Sequence, residues 1–287
     1  MKQLLILSGK GGTGKTTIAG AFIKLSSCKS YADCDVDAPN LHLIMKQNSI
    51  AEAQDFYGMN KYEIDELKCL GCGICKTLCK FDAIHKNGKT YQIDPFSCEG
   101  CAVCEYFCPI GIISPKQHVS GELLLYRSEA LFSTAKIKAG GGNSGLLVTE
   151  VKKRLRQDNI VDFEIIDGSP GIGCPVIASM SGADLILLVT EPSLSGISDM
   201  NRIAITAKKF HVPTIVCINK TTPMSKNVNI ILAYCAENSI PMVGTIPYDE
   251  TVNSSINQGL SIVDTDCQAG NAVRKVYDKV RQFINLT

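Results

Sequence analysis

The sequence has no surplus of either charge: 29 basic residues face 28 acidic ones, for a formal net charge of +1. A general electrostatic pull toward nucleic acid or an anionic membrane is therefore not expected. It also lacks any apolar run of eighteen residues, so no spanning helix is expected. Histidine is scarce, and His42, His85, His118 and His211 form no group with metal-ligand spacing. With 45% apolar and 20% charged residues the chain is neither disordered nor collagen-like. Its 287 residues allow one large domain, or a large one with a small companion. The opening run QLLIL leads straight into a glycine-rich motif, so it reads as a first buried strand rather than a secretory leader, with the cytoplasm as the expected location.

Cysteine, by contrast, is abundant. Eight of the fourteen fall between Cys69 and Cys108, while Cys28, Cys34, Cys174, Cys217, Cys235 and Cys267 are scattered. In a chain that otherwise looks intracellular, tight regular spacing favours metal ligation over a disulfide framework. Cys217, inside the apolar run TIVCIN, reads as a packing residue. Cys34 and Cys174 lie near the expected nucleotide site.

Hydrophobic patterning predicts strands at Gln3–Ser8, Ser30–Cys34, Ile160–Asp167, Ala183–Thr190, Thr214–Asn219 and Met242–Thr245. Helices are predicted at Lys15–Ser26, about Leu146–Gln157, Ser195–Phe210, Lys226–Asn238, Thr251–Gln258 and Ala269–Ile284, with a helix or turn around Asn40–Lys46. Near-continuous apolar strands such as Leu185–Val189 argue for a parallel sheet covered on both faces. The expected fold is thus three-layer α/β with a mostly parallel sheet. From about Lys61 to Ile113 long periodic segments give way to cysteines, glycines and short turns, which suggests a small inserted α+β domain over 61–115, the larger domain being 1–60 and 116–287. Lys136–Gly145 is expected to be a basic, glycine-rich connection.

Gly9-Lys10-Gly11-Gly12-Thr13-Gly14-Lys15-Thr16 matches the phosphate-loop pattern GxxxxGK(S/T). Backbone N–H groups from Gly9 to Thr17 would converge on phosphate oxygens at a helix N-terminus. Lys15 would reach the β- and γ-phosphates of ATP, and Thr16 would place its hydroxyl on Mg²⁺. A magnesium nucleotide site also needs carboxylates at strand ends. Asp167 is the candidate that holds the ion through water. Asp33, Asp35 and Asp37 compete to orient the attacking water, with Asp35 preferred.

The extra lysine, Lys10, makes the loop resemble that of the MinD, ParA and nitrogenase iron protein superfamily of ATPases. The resemblance implies that Lys10 reaches across an interface to a partner's nucleotide in an ATP-dependent homodimer or paralogous heterodimer. It also likens Asp33–Asn40 to the first switch and Asp167–Gly171 to the second. Asn219-Lys220 and Ile246–Asp249, with Pro247, are likened to the base-recognition elements.

Cys69, Cys72, Cys75 and Cys79 recur 29 positions on as Cys98, Cys101, Cys104 and Cys108. In such CxxCxxCxxxC runs three thiolates hold one cubane and the fourth reaches the other. This predicts one [4Fe–4S] cluster on Cys69, Cys72, Cys75 and Cys108, and a second on Cys98, Cys101, Cys104 and Cys79; zinc is the rival. The segment resembles a two-cluster bacterial ferredoxin. The whole chain resembles MinD-superfamily ATPases with a ferredoxin insert, common in anaerobes and often labelled cobyrinic acid a,c-diamide synthase-like; no amidation site supports that label here. Gly140–Gly145 resembles that family's loop after the insert, either a backbone approach to nucleotide or cluster, or a hinge. Three functions are expected, in falling order: ATP-gated electron transfer to an unidentified acceptor protein, iron–sulfur cluster delivery, and a nucleotide- and redox-dependent switch.

Overall fold

The computed structural model describes residues 2–157 and 161–284. The chain opens with strand β1 (Lys2–Ser8), helix α1 (Lys15–Ser26), β2 (Ser30–Asp33), a single helical turn α2 (Leu41–Ile44) and β3 (Glu52–Tyr57). A compact run follows: β4 (Lys61–Ile64), α3 (Ile74–Leu78), β5 (Ile84–Asn87), β6 (Thr90–Ile93), α4 (Val103–Tyr106) and β7 (Ile113–Lys116). Then come β8 (Val119–Arg127), β9 (Leu131–Ile137), α5 (Ser144–Arg156), β10 (Phe163–Pro170), α6 (Cys174–Met180), β11 (Leu185–Thr190) and α7 (Leu194–Lys209). The chain ends with β12 (Thr214–Thr221), α8 (Val228–Glu237), β13 (Met242–Pro247), α9 (Thr251–Asn257) and α10 (Gln268–Ile284).

Nine strands make one sheet, ordered β13-β12-β11-β1-β10-β2-β9-β8-β3. The pairings from β13 to β9 are parallel, and β8 and β3 extend the edge antiparallel. β1 lies in the sheet interior, between β11 and β10, and its side chains are apolar in both directions. Leu4 and Ile6 pack under α1 and α10 with Ile18, Phe22, Val273 and Val276. Leu5 and Leu7 face α5, α6, α7 and α8 with Leu147, Met180, Ile203 and Ile231. The period of two thus divides one strand between two cores, and the three-layer α/β arrangement expected from the sequence is what forms.

Several sequence expectations need correction. β3, β8 and β9 were not anticipated, and Lys136 belongs to β9, not to a connection. β10 runs on through Gly168–Pro170, three residues past its expected end at Asp167. The helix around Asn40–Lys46 is one turn, and α6 follows the glycine-rich bend at Gly171–Gly173. The start of the strand expected from Ile160 lies outside the described residues.

The β4–β7 run shares no strand with the large sheet among the described residues: β4 pairs with β7, and β5 with β6. Its internal repeat extends to the backbone. Gly71 and Gly73 have φ of +68° and +77°, and their counterparts Gly100 and Ala102 have +71° and +65°. These left-handed positions curl the backbone between successive cysteines of each CxxCxxC stretch. Its fully buried apolar residues are only Ala83, Ile84, Ile93, Cys98, Cys104 and Ile113.

Candidate functional site

The phosphate loop joins the carboxyl end of β1 to α1, where open α/β sheets place their ligands. Gly14 must be glycine: its φ is +89°, and a Cβ there would lie 2.3 Å from the Asn219 amide nitrogen. That amide, at the end of β12, donates to the Thr13 carbonyl at 2.7 Å. Lys220 donates to the Gly12 carbonyl at 2.5 Å. The loop is therefore held from its side by the pair expected to read the base. A cavity of about 660 Å³ opens over it. It is lined by the loop from Lys10 to Thr17, by Asp35 and Asp37, and by Asn219 and Pro247. The volume lies within the usual range for a small-molecule pocket.

Lys15 does not point into open space. It is buried, and its Nζ lies 2.5 Å from Asp167 Oδ1 and 3.4 Å from the Thr16 hydroxyl. Burial draws the Lys15 ammonium down, but Asp167, Asp33 and Asp35 together outweigh this and hold it above the ordinary lysine value. Asp167 is fully buried, and its Oδ2 has no hydrogen-bond partner. An orphaned carboxylate oxygen, on a carboxyl that shares the Lys15 ammonium with the Thr16 hydroxyl, suits a hydrated Mg²⁺ delivered with the nucleotide.

The three aspartates that competed in sequence separate in the structure. Asp33 is buried and accepts three backbone N–H groups: Asp35 at 3.0 Å, and Asn40 and Leu41 at 2.9 Å each. It shapes the loop and caps α2. Burial, then the charge of Asp167, push its carboxyl up to about 7. Asp35 lines the cavity, with its carboxyl also raised by burial against the pull of Lys15. Asp37 lines the outer part.

Lys10 is occupied within its own chain. Its ammonium lies 3.0 Å from Glu191, and the other Glu191 oxygen is 2.9 Å from Lys220. Burial alone would raise the Glu191 carboxyl, but the two lysines hold it below the usual value. Glu191 was not singled out in the sequence, although its position just after the apolar strand LILLVT is a signal for a site residue. Gly9 is confined on the same side: a Cβ there would lie 2.1 Å from Asp199 Cβ on α7.

Away from this cavity, the structure brings the eight clustered cysteines around two smaller hollows. Cys69, Cys72, Cys75 and Cys108 line one, with Ile64, Leu70 and Pro109. Cys79, Cys98, Cys101 and Cys104 line the other, with Tyr62 and Phe81. Each group joins three cysteines of one repeat to the fourth of the other. Among the described residues no three His, Cys, Asp or Glu side chains converge on one metal ion, zinc or any other. Burial works against Cys108 ionisation, yet the backbone N–H groups of residues 110–113 hold its thiol below the ordinary value. Cys34 is sealed in the core and pushed up to about 12 by burial. Cys174 is exposed at the start of α6.

Comparison with known proteins identifies the domain around the nucleotide cavity. Residues 4–262 match the CobQ/CobB/MinD/ParA nucleotide binding domain. An uncharacterized protein of Methanocaldococcus jannaschii is 31% identical over 98% of this chain and 97% of its own length. An iron–sulfur cluster carrier protein of the same organism is 22% identical over 97% of this chain and 83% of its own. Among solved structures, the septum site-determining protein MinD of Pyrococcus horikoshii, complexed with Mg-ADP, shares the fold with a TM-score of 0.59 at 18% identity, covering 98% of this chain and 96% of its own. No described helix is long and apolar enough to cross a membrane. With its phosphate loop and buried lysine in place, the chain belongs to the CobQ/CobB/MinD/ParA nucleotide-binding family and is an ATP-hydrolysing enzyme.

Proposed function

We propose that this ATPase couples its nucleotide state to electron transfer through two [4Fe–4S] clusters held in an inserted domain, residues 61–115, with the ATPase domain formed by 1–60 and 116–287. The observation that carries this reading is the crossed three-plus-one sorting of eight cysteines around two hollows. The meagre apolar core of that segment supports it, because domains this small usually need a covalent or metal staple. The clusters, when bound, supply one-electron transfer.

The nucleotide chemistry falls to the chain's own groups. Lys15 leaves Asp167 for the β- and γ-phosphates, freeing the carboxylate for hydrated Mg²⁺ beside the Thr16 hydroxyl. Backbone N–H groups of Gly9, Gly11, Gly12, Thr13, Gly14 and Thr17 cradle the phosphates, while Asn219 and Pro247 border the base. Asp35 orients the attacking water. Lys10 exchanges Glu191 for the partner protomer's nucleotide in a face-to-face dimer, adding positive charge where the transition state gains negative charge. The acceptor is a redox protein of the cytoplasm.

A second reading, cluster delivery, draws on the iron–sulfur carrier relative and on the exposed Cys174. One experiment separates the two. Protein purified without oxygen is titrated with reductant under EPR, with and without MgATP, and its iron is counted. Two reducible centres, with iron retained and a potential moved by MgATP, support electron transfer. Iron passed to an apo-acceptor on adding MgATP supports delivery. Centres indifferent to nucleotide refute the coupling.

A further inference from the structure

The two cysteine hollows differ in how they sit on the chain. The one lined by Cys79, Cys98, Cys101 and Cys104 has Ala83, Ile84 and Ile93 buried in its wall, and Cys98 and Cys104 are buried as well. Its repeat is seated on the rest of the molecule. A Cβ at Gly100 would strike the Asn60 carbonyl, one at Gly140 would lie 2.9 Å from the Phe96 ring, and Phe96 and Glu99 share a cleft with Asp37 from the nucleotide cavity. The hollow lined by Cys69, Cys72, Cys75 and Cys108 faces outward. Of its lining only Ile113 is buried, while Leu70, Ile74 and Ile110 are 71%, 40% and 42% exposed. Leu67, two residues before Cys69, is 99% exposed. It stands on a turn held by Asp65, which accepts the Leu67 N–H at 3.2 Å and lies 2.8 Å from the Lys68 ammonium. A group of large apolar side chains held in water in this way marks a contact surface.

Charge divides along the same line. Residues 66–89 hold five lysines against Glu66 and Asp82, whereas residues 90–115 hold Asp94, Glu99 and Glu105 and no lysine or arginine. Lys76, Lys80, Lys86 and Lys89 are exposed, with no carboxylate in ion-pairing distance among the described residues. Two of them border the outward hollow. Lys86 stands opposite Tyr91 across the β5–β6 pair, so the two side chains share a face, and Tyr91 lines the hollow. Lys89 is tied to the first cysteine loop, since a Cβ at Gly71 would strike its carbonyl.

We infer that this outward face docks the electron acceptor, and that the acceptor is an acidic one-electron carrier protein whose carboxylates meet Lys86 and Lys89 around an apolar contact at Leu67 and Leu70. The inference rests on the cysteine reading above and gives the chemistry of the partner which that reading leaves open. An apolar centre rimmed by charge is the usual build of a transient interface. The lysines steer a partner of opposite sign, so both encounter and affinity weaken with salt. One electron leaves the reduced centre of this hollow and the carrier gains it, with no bond made or broken.

The test uses the full chain purified without oxygen, its iron counted and its centres read by EPR. Flavodoxin serves as the acidic one-electron probe and cytochrome c as the basic one. Binding between the oxidised proteins is measured by calorimetry, and electron transfer from the dithionite-reduced chain by stopped flow, each at low and high salt. Flavodoxin should bind at low salt and release at high salt. Lys86→Glu/Lys89→Glu should weaken that binding by about tenfold or more at low salt, with iron and both EPR centres retained; Leu67→Ser, at a position outside the core, should weaken it as well. Equal binding of flavodoxin by wild type and the charge-reversed variant overturns the inference, and so does a preference for cytochrome c, which would place docking on the acidic repeat. Self-association of nucleotide-free wild type that Leu67→Ser abolishes also overturns it, because the face then belongs to a second copy. Each of these outcomes, with iron retained, leaves the two-cluster reading intact. Wild-type protein that binds no iron overturns the cysteine reading itself, and this inference with it.

Discussion

The pair of Lys15 and Asp167 makes a quantitative test of the nucleotide-free site. Both groups are buried, at 5% and 0% side-chain exposure, and Asp33 and Asp35 add negative charge around the same ammonium. Replacing Lys15 by methionine leaves these carboxylates facing one another with no cation. Breaking a buried pair by removing one partner costs about 3–5 kcal/mol. At ~2.1 cal/mol/K per residue, a chain of 287 residues has an unfolding entropy of about 0.6 kcal/mol/K, so the melting temperature should fall by roughly 5–8 °C. The double variant Lys15→Met/Asp167→Asn removes the uncompensated charge and should recover most of that loss. Neither variant should bind MgATP, because the phosphates lose their buried cation. The measurements are thermal unfolding by circular dichroism in nucleotide-free buffer and calorimetric titration with MgATP. A single variant that melts with wild type, or a double variant less stable than the single, would show that Lys15 does not neutralise this cluster.

Other consequences of the geometry can be checked separately. Gly14→Ala places a methyl against the Asn219 amide at a left-handed position, and should weaken MgATP binding at least tenfold by calorimetry while leaving the far-UV spectrum intact. Glu191→Gln loosens the intrachain hold on Lys10 and should raise the dimer fraction with ATP in sedimentation, whereas Lys10→Ala should lower turnover more than affinity; unchanged turnover in Lys10→Ala contradicts its role across the interface. The Asp33 carboxyl is raised from 3.8 to about 7, so the folded state keeps a proton that the unfolded chain gives up. Its contribution to stability is therefore full below about pH 4 and declines as pH rises toward about 7; the slope should be absent in Asp33→Asn under chemical denaturation. Cys101→Ala should lose one of two EPR-visible centres and keep MgATP binding, while loss of both would mean that the two hollows are not independent.

Some of this molecule was legible because the information is local. The phosphate loop, the strand before it and the helix after it form one continuous stretch in which hydrophobic period, glycine placement and lysine position agree. The cysteine repeat was legible for a different reason: a spacing that recurs 29 positions on constrains partners as well as elements, and the crossed grouping follows from it. The edge of the sheet was not legible. β3 reads EAQDFY and buries only Phe56, so it has almost no alternation to detect, and its place is set by pairing with β8 rather than by its own side chains.

The site residues divide along the same line. Three aspartates within five positions are equivalent in sequence, and only the fold assigns Asp33 to backbone hydrogen bonds and Asp35 to the cavity wall. Glu191 becomes a partner of Lys10 because β11 lies directly beside β1. In each case a residue acquires its role from strand order, not from a motif. Charge-bearing side chains at the ends or starts of strands are therefore where further functional residues of this chain should be sought, and the comparison of wild type with Glu191→Gln probes that expectation at the nucleotide cavity.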